Sequence, residues 1–144
     1  MEYTQLVQLA KETARKHVLD PALVCAIVEQ ESDWNPWAIR YEPAFQKRYV
    51  EPLGLTNQTE IVARSMSWGL CQLMGQCARD LGFHDKMASL CDPFNALEWG
   101  CKHFSNKLKA AQEDVRKALL LWNGGGNPAY PDQVLARLER YQGS

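Results

Sequence analysis

The stretch Val24–Pro36, VCAIVEQESDWNP, decides how the rest of the chain is organised. Its first half is apolar almost all the way round a helix, which predicts a central, buried helix. Asp20 and Pro21 suit the start of that helix, because Asp is a good cap and Pro fits the first turn. Glu31 stands near its carboxyl end, where burial and the negative end of the helix dipole both raise the pKa of a carboxyl group. A raised pKa is what a general acid requires.

The segments on either side of this stretch also have the spacing of helices. Apolar residues recur every three or four positions, with charged residues on the other side, as in amphipathic helices. The predicted helices cover residues 4–16, 20–32, 42–50, 59–66, 73–81, 92–110, 114–122 and 130–141. No strand pattern, repeat or low-complexity linker stands out. The sequence therefore predicts an all-α fold in a single domain over residues 1–144, a length that buries about 68% of the unfolded surface.

Charge and composition exclude several classes of function. Lys and Arg together number 16 against 17 for Asp and Glu, a net charge of −1, so neither nucleic acid nor an anionic membrane is an expected partner. No apolar run approaches the roughly 20 residues of a membrane span. The acidic, amphipathic amino terminus does not resemble a signal peptide, which predicts synthesis in the cytoplasm. The five cysteines form no CxxC pair, which favours free buried thiols and predicts no metal site.

Three separate segments are candidates for one functional site. They are Glu31 with its loop, the segment Gly69–Met74 (GLCQLM), and the turn Trp122–Gly126 (WNGGG). Each follows or interrupts a predicted helix, where side chains are free to point into a cleft. Aromatic and amide residues cluster there, a composition suited to sugar rings and their hydroxyl and acetamido groups. The aromatic residues expected to line the groove are Trp34, Trp37, Tyr41, Trp68, Trp122 and Tyr130.

These segments carry a resemblance that extends over most of the chain. QESDWNPWA resembles the glutamate-serine motif of the soluble lytic transglycosylase family, and GLCQLMG resembles its GLMQ-type motif. DPFNALEWG, ALLLWNGG and AYPDQVLARLERY resemble three later segments of the family, in the same order. The resemblance implies a lysozyme-like helical fold and cleavage of the β-1,4 bond between MurNAc and GlcNAc in peptidoglycan without water. It implies no cofactor.

The resemblance also implies roles for individual residues. Glu31 is expected to protonate the glycosidic oxygen and then, as a carboxylate, to remove the proton from the MurNAc C6 hydroxyl, which attacks C1 and leaves a 1,6-anhydro end. The residues expected to contact substrate or shape the site are Ser32, Gln72, Met74, Trp122, Asn123 and Tyr130. Peptidoglycan glycan strands are the expected partner of a monomeric enzyme. Action on the bacterial cell wall, during phage lysis or from a virion, is the expected setting.

The sequence departs from the family pattern in one region that leaves alternatives open. The link between Glu31 and Gly69 is much longer than in typical members, which predicts an insert at about residues 38–66. If the insert folds over the groove, Glu42 within it is a possible second carboxylate that activates water, as in hydrolysing muramidases. A glycan-binding module without turnover is an alternative from another class. Glu29 is a competitor for Glu31, but it lies about 200° away around the helix and should point elsewhere.

Overall fold

A computed structural model describes residues 1–143 and is built mostly from helices, as predicted. Eight α-helices occur in this part of the chain, and their bounds are α1 Tyr3–Lys16, α2 Pro21–Ser32, α3 Pro43–Phe45, α4 Gln58–Arg64, α5 Gly75–Asp80, α6 Pro93–Ala110, α7 Val115–Asn123 and α8 Tyr130–Leu135. Shorter turns extend them: a π-helical turn at Gln46–Val50 and 3-10 turns at Glu51–Leu53, Met87–Cys91 and Leu138–Tyr141. Within residues 1–143, no helix is both long and apolar enough to span a bilayer.

Helix α2 occupies the centre of the main hydrophobic core. Every residue from Ala22 to Val28 is buried, which agrees with the apolar character of this helix on all sides. Helices α1 and α8 and the 3-10 turn Leu138–Tyr141 pack directly against it. Phe104 from α6 and Leu119 from α7 complete the core. Because α2 is buried, the carboxyl group of Glu31 near its end is also partly removed from solvent.

The starts of helices α2, α6 and α7 follow the capping rules. The side chain of Asp20 accepts a hydrogen bond from the Ala22 amide at 2.9 Å, and Asp92 accepts one from the Phe94 amide at 3.0 Å. In both cases a proline occupies the first helical position. Asp114 caps α7 through the Lys117 amide at 3.1 Å. Each cap pairs a backbone donor that the helix itself leaves free.

The structure also contains a small antiparallel sheet, which no strand pattern in the sequence indicated. Its strands are β1 Ile39–Tyr41, β2 Met66–Trp68 and β3 Leu73–Met74, in the order β1-β2-β3. Ser67 lies opposite Arg40 on one side and opposite Met74 on the other. Strands of two or three residues are too short to show alternation in sequence, because a period of two needs at least four residues to be recognised.

Two predicted helices are shorter in the structure than in the sequence-based prediction. The segment 73–81 begins as strand β3, and α5 starts only at Gly75. The last helix, predicted over 130–141, ends at Leu135 and is followed by a separate 3-10 turn. A second, smaller core around Leu73, Phe83 and Leu90 covers the first of these breaks. Local spacing did not reveal these breaks, since both halves of each segment bury apolar residues.

Candidate active site

The Glu31 carboxyl group lies in a cleft and is held by two aromatic side chains. Trp122 Nε1 donates a hydrogen bond to Glu31 Oε2 at 3.3 Å, and the Tyr130 hydroxyl donates a short one to the same oxygen. The residue is half-buried and lines a cavity of about 290 Å³. This space is called the Glu31 cavity below. Both donors are themselves packed in the protein, so the position of the carboxyl group is set before any ligand binds.

Burial controls the protonation of this carboxyl group. Desolvation raises the pKa of Glu31 above its ordinary value, and the hydrogen bonds from Tyr130 and Trp122 offset part of that rise. The dominant effect is burial, as the sequence predicted. A carboxyl group in this setting is able to hold a proton, release it to a ligand and take one back.

Replacing Tyr130 by Phe is expected to raise the pKa of Glu31 further. The hydroxyl group stabilises the carboxylate by donating to it, so its loss leaves burial with less opposition. Titration of the Glu31 side-chain carboxyl carbon by NMR measures the change. Tyr141→Phe is the matched control, because the Tyr141 hydroxyl donates to Glu29 instead. A Glu31 pKa that stays the same or falls in Tyr130→Phe contradicts this account of the site.

Trp122 and Tyr130 reach Glu31 from the two ends of one turn. Trp122 closes α7, and its indole ring packs edge-on against Phe104 with ring centroids 5.7 Å apart. Tyr130 opens α8 and is only 3% exposed. The glycine-rich turn between them ends α7 at Gly124 in the left-handed conformation. The turn therefore brings two residues, distant from Glu31 in sequence, onto one carboxyl oxygen.

The Gly69–Met74 segment contributes Gln72, Leu73 and Met74 to the lining of the Glu31 cavity. Gln72 has the left-handed backbone conformation with φ of +51°, which is unusual for a residue other than glycine. Its amide nitrogen donates to the carbonyl oxygens of Ala38 at 2.9 Å and Gly69 at 3.0 Å. Its amide oxygen accepts from Ser67 Oγ at 2.8 Å. The Gln72 side chain thus connects the residue before β1, strand β2 and the start of the Gly69–Met74 segment beside the cavity.

Ser32 links α2 to this same segment. Its hydroxyl donates to the Leu70 carbonyl oxygen at 2.8 Å and lies 3.2 Å from that of Val28. Ser32 is not among the residues that line the Glu31 cavity. The Ser32 hydroxyl therefore holds the Gly69–Met74 segment next to the carboxyl end of α2.

Asn123 and Met74 are the predicted contact residues with the most freedom to meet a ligand. Both are half-buried and line the Glu31 cavity. Within residues 1–143 the Asn123 side-chain amide makes no hydrogen bond, so its donors and its acceptor are open to the cleft. An amide with both functions free suits a ligand that carries hydroxyl or acetamido groups.

Glu42 also lines the Glu31 cavity, as the sequence-based alternative required. It lies directly after β1, and Arg40 Nε is 3.0 Å from its Oε1. Arg40 lines the cavity as well. The second carboxylate in the cavity is therefore paired with a cation of its own, whereas Glu31 has no charged partner among the described residues.

Glu29 points away from the cavity, as predicted. Arg140 Nη1 donates to Glu29 Oε2 at 2.8 Å, and the Tyr141 hydroxyl donates to its other oxygen. Burial alone would raise the pKa of Glu29, but these hydrogen bonds and the charge of Arg140 lower it below its ordinary value. The two carboxyl groups of α2 therefore have opposite pKa shifts on opposite sides of one helix.

Of the six aromatic residues predicted for the groove, Trp122 lines the Glu31 cavity and Tyr130 contacts Glu31 from a buried position, whereas the other four do neither. Trp34 is 7% exposed, and its indole nitrogen donates to the Tyr141 hydroxyl at 2.9 Å in the core. Trp68 donates to the Ala63 carbonyl oxygen at 3.0 Å and packs on the smaller core. Trp37 and Tyr41 are exposed, at 75% and 44%, outside the cavity. The prediction was wrong for these four because composition does not show the direction in which a loop side chain points.

His103, which no motif in the sequence marked as a site residue, lines the Glu31 cavity together with Trp122 and Cys77. Its ring centroid lies 5.5 Å from that of Trp122. Burial lowers the pKa of His103 to about 4, and the nearby charge of Lys107 acts in the same direction. The available signal was its place next to Phe104, on the border of the apolar stripe of the predicted helix. Among residues 1–143, no three His, Cys, Asp or Glu side chains group together as a metal site would require.

The family model described as Transglycosylase SLT domain matches residues 8–133. That range includes Glu31, the Gly69–Met74 segment, the Trp122–Gly126 turn and Tyr130. No solved structure matches the chain.

Proposed function

The chain belongs to the transglycosylase SLT domain family, and we propose that it is a lytic transglycosylase in which Glu31 acts first as acid and then as base. The family makes it a lysozyme-like, peptidoglycan-cleaving enzyme of the glycosidase type. The finer proposal concerns the bond that is cleaved, the product and the residues that act. Its substrate is the β-1,4 bond between MurNAc and GlcNAc, and its product is 1,6-anhydroMurNAc.

The observation that supports this proposal is the state of the Glu31 carboxyl group. It is half-buried, carries no counter-charge among the described residues, and accepts two hydrogen bonds on one oxygen. In the first step its proton passes to the glycosidic oxygen, and the bond from that oxygen to C1 of MurNAc breaks. The hydrogen bonds from Tyr130 and Trp122 then stabilise the carboxylate that remains.

The second step returns the proton to Glu31. The carboxylate removes the proton of the MurNAc C6 hydroxyl as that oxygen forms its bond to C1. No water is consumed, and the carboxyl group is again protonated for the next cycle. One carboxyl group serves both steps if the sugar stays in place between them, a task for which the free amide of Asn123 and the Met74 side chain are well located.

Hydrolysis is a second candidate because Glu42 lines the same cavity. In that reaction Glu31 is again the acid, while Glu42 removes a proton from an attacking water molecule. The ion pair with Arg40 weighs against this role, because Arg40 already contacts one of the two Glu42 oxygens that would have to meet the water molecule. A glycan-binding module without turnover has no comparable support, since the acid required for cleavage is present in the cavity.

Mass spectrometry of the fragments released from purified cell walls is expected to find 1,6-anhydro ends. These products are lighter by one water molecule than the reducing ends that hydrolysis leaves. The Glu42→Gln variant is expected to release the same anhydro products. Reducing ends from the wild-type enzyme, together with their loss in Glu42→Gln, contradict transglycosylation and support the hydrolase.

A further inference from the structure

A second and larger cavity, of about 700 Å³, continues from the Glu31 cavity past the insert. The two cavities share one side, which is lined by the residues common to both: Glu42, Met74, Cys77, His103, Trp122 and Asn123. The second space is called the insert compartment here. A ligand bound at Glu31 can therefore extend into the insert compartment without leaving the cleft.

The insert supplies the apolar side of this compartment with Phe45, Tyr49 and Leu53. The rings of Phe45 and Tyr49 lie 4.9 Å apart, and the Arg48 guanidinium lies 5.0 Å from the Tyr49 ring. Tyr49 is 49% exposed and Leu53 is 51% exposed. Large apolar side chains left exposed together at the edge of a cleft indicate a binding surface.

The insert is fixed to the rest of the protein, so this surface is held in place. Glu60 pairs with Arg64 Nε at 2.6 Å and with Arg79 Nε at 2.8 Å, which ties α4 to α5. These arginines lower the pKa of Glu60 to about 2. The Glu42 amide also donates to the Ser65 carbonyl oxygen at 2.9 Å. A surface held in this way binds a ligand with little loss of conformational entropy.

The side facing the insert carries charges of both signs. Lys107 on α6 is half-buried, and its ammonium group has no hydrogen bond or ion pair within residues 1–143. Asp80 on α5 accepts a hydrogen bond from the Gln76 amide at 2.9 Å and is exposed. The GlcNAc ring carries no charge, and the lactyl carboxyl of MurNAc is an uncharged amide wherever a stem is attached, so the glycan of a stem-bearing strand needs no such groups. A short peptide, with free carboxylates, an amine and apolar side chains, matches both sides of the compartment.

We propose that the insert compartment binds the peptide stem attached to the lactyl group of a MurNAc residue next to the scissile bond. In this arrangement Lys107 pairs with a stem carboxylate, while Tyr49 and Phe45 cover the apolar side chains of the stem. This inference rests on the proposed function, because it assumes that the glycan strand occupies the Glu31 cavity. It assigns the insert the task of selecting peptide-bearing strands.

The test compares two substrates from one preparation: cell walls that keep their stems, and the same glycan strands after an amidase has removed them. The wild-type enzyme is expected to have the higher kcat/KM on peptide-bearing strands. In Lys107→Gln the ratio of the two kcat/KM values is expected to fall about tenfold, the usual scale for a lost charge-assisted hydrogen bond. Lys109→Gln, an exposed lysine on the same helix, is the matched control and should keep the wild-type ratio.

Tyr49→Ala tests the apolar side in the same assay and is expected to lower the same ratio. Its matched control is Phe94→Ala, an aromatic residue of similar exposure that lies outside the cleft. If Lys107→Gln and Tyr49→Ala lower kcat/KM equally on both substrates, the compartment binds sugar and the stem proposal is overturned. Equal wild-type efficiency on the two substrates overturns it as well. A wild-type enzyme that cleaves neither substrate contradicts the proposed function instead.

Discussion

Replacing Glu31 by Gln is expected to lower the rate of wall clearing by about 10²–10⁴-fold, the range typical of a lost general acid or base. The loss should lie near the upper end, because the same carboxyl group is proposed to act in both steps. The amide keeps an oxygen that can accept the hydrogen bonds of Trp122 and Tyr130, so the cavity should keep its shape. Turbidity of a wall suspension and the free energy of unfolding are the two measurements.

The stability of this variant should not fall at neutral pH. The pKa of Glu31 is raised in the folded state, so above that pKa the native protein carries a buried charge that opposes folding. Gln removes that charge, and the free energy of unfolding should stay the same or rise. Clearing at the wild-type rate, with no change in products, contradicts the role proposed for Glu31.

Glu29→Gln is the matched control, two residues earlier on the same helix. Glu29 accepts hydrogen bonds from Arg140 and Tyr141 on the side away from the cavity. Its replacement should lower the free energy of unfolding by roughly 1–3 kcal/mol, because a charged hydrogen-bonded pair is lost. Activity should be retained below the unfolding transition. Glu31→Gln is thus expected to lower activity without lowering stability, and Glu29→Gln is expected to lower stability without lowering activity.

Replacing Gly69 by Ala is expected to lower the free energy of unfolding by about 2–5 kcal/mol, from two costs. Its φ of +68° is unfavourable for a residue with a Cβ atom, at about 1–2 kcal/mol. A Cβ atom there would also lie 2.4 Å from the Leu90 carbonyl oxygen, which forces the backbone to move at about 1–3 kcal/mol. Urea denaturation measures the sum.

Gly54→Ala measures the first cost alone, so the difference between the two variants gives the second. Gly54 has nearly the same φ, +69°, but no atom lies within 4 Å of the position of an added Cβ. Its replacement should cost only the conformational part. Equal losses in the two variants contradict the claim that Gly69 is required for close packing against Leu90. Gly69→Ala should also lower activity below its unfolding transition, since Gly69 anchors the segment that carries Gln72 and Met74.

The sequence analysis predicted most of the helices because their signals are local. Capping by Asp20 depends only on neighbouring residues, and the structure confirms it. The caps formed by Asp92 and Asp114 follow the same local rule. The mostly helical fold and the family follow from such signals together with the order of the motifs. The raised pKa of Glu31 was also predictable, because the apolar residues before it already indicated burial.

The errors concern features that depend on contacts between distant residues. Strands β1 and β2 pair across the residues 42–65 that separate them in the sequence, so neither segment shows the sheet by itself. Trp34 turns into the core because Asp33 and Trp34 both adopt the left-handed conformation, with φ of +50° and +64°. Nothing in the composition of the loop distinguishes that direction from one facing the groove.

The sequence by itself determined the central helix, the position of Glu31 at its end and the family to which the chain belongs. Only the tertiary structure decided which groups surround that carboxyl group. Trp122 and Tyr130 meet Glu31 because α8 packs against α2 and α7 packs against α8, and Glu42 enters the same cavity because β1 pairs with β2. Helices and caps are formed by residues near one another in the chain. A cavity is formed by residues far apart, and only the packing of the whole chain brings them together.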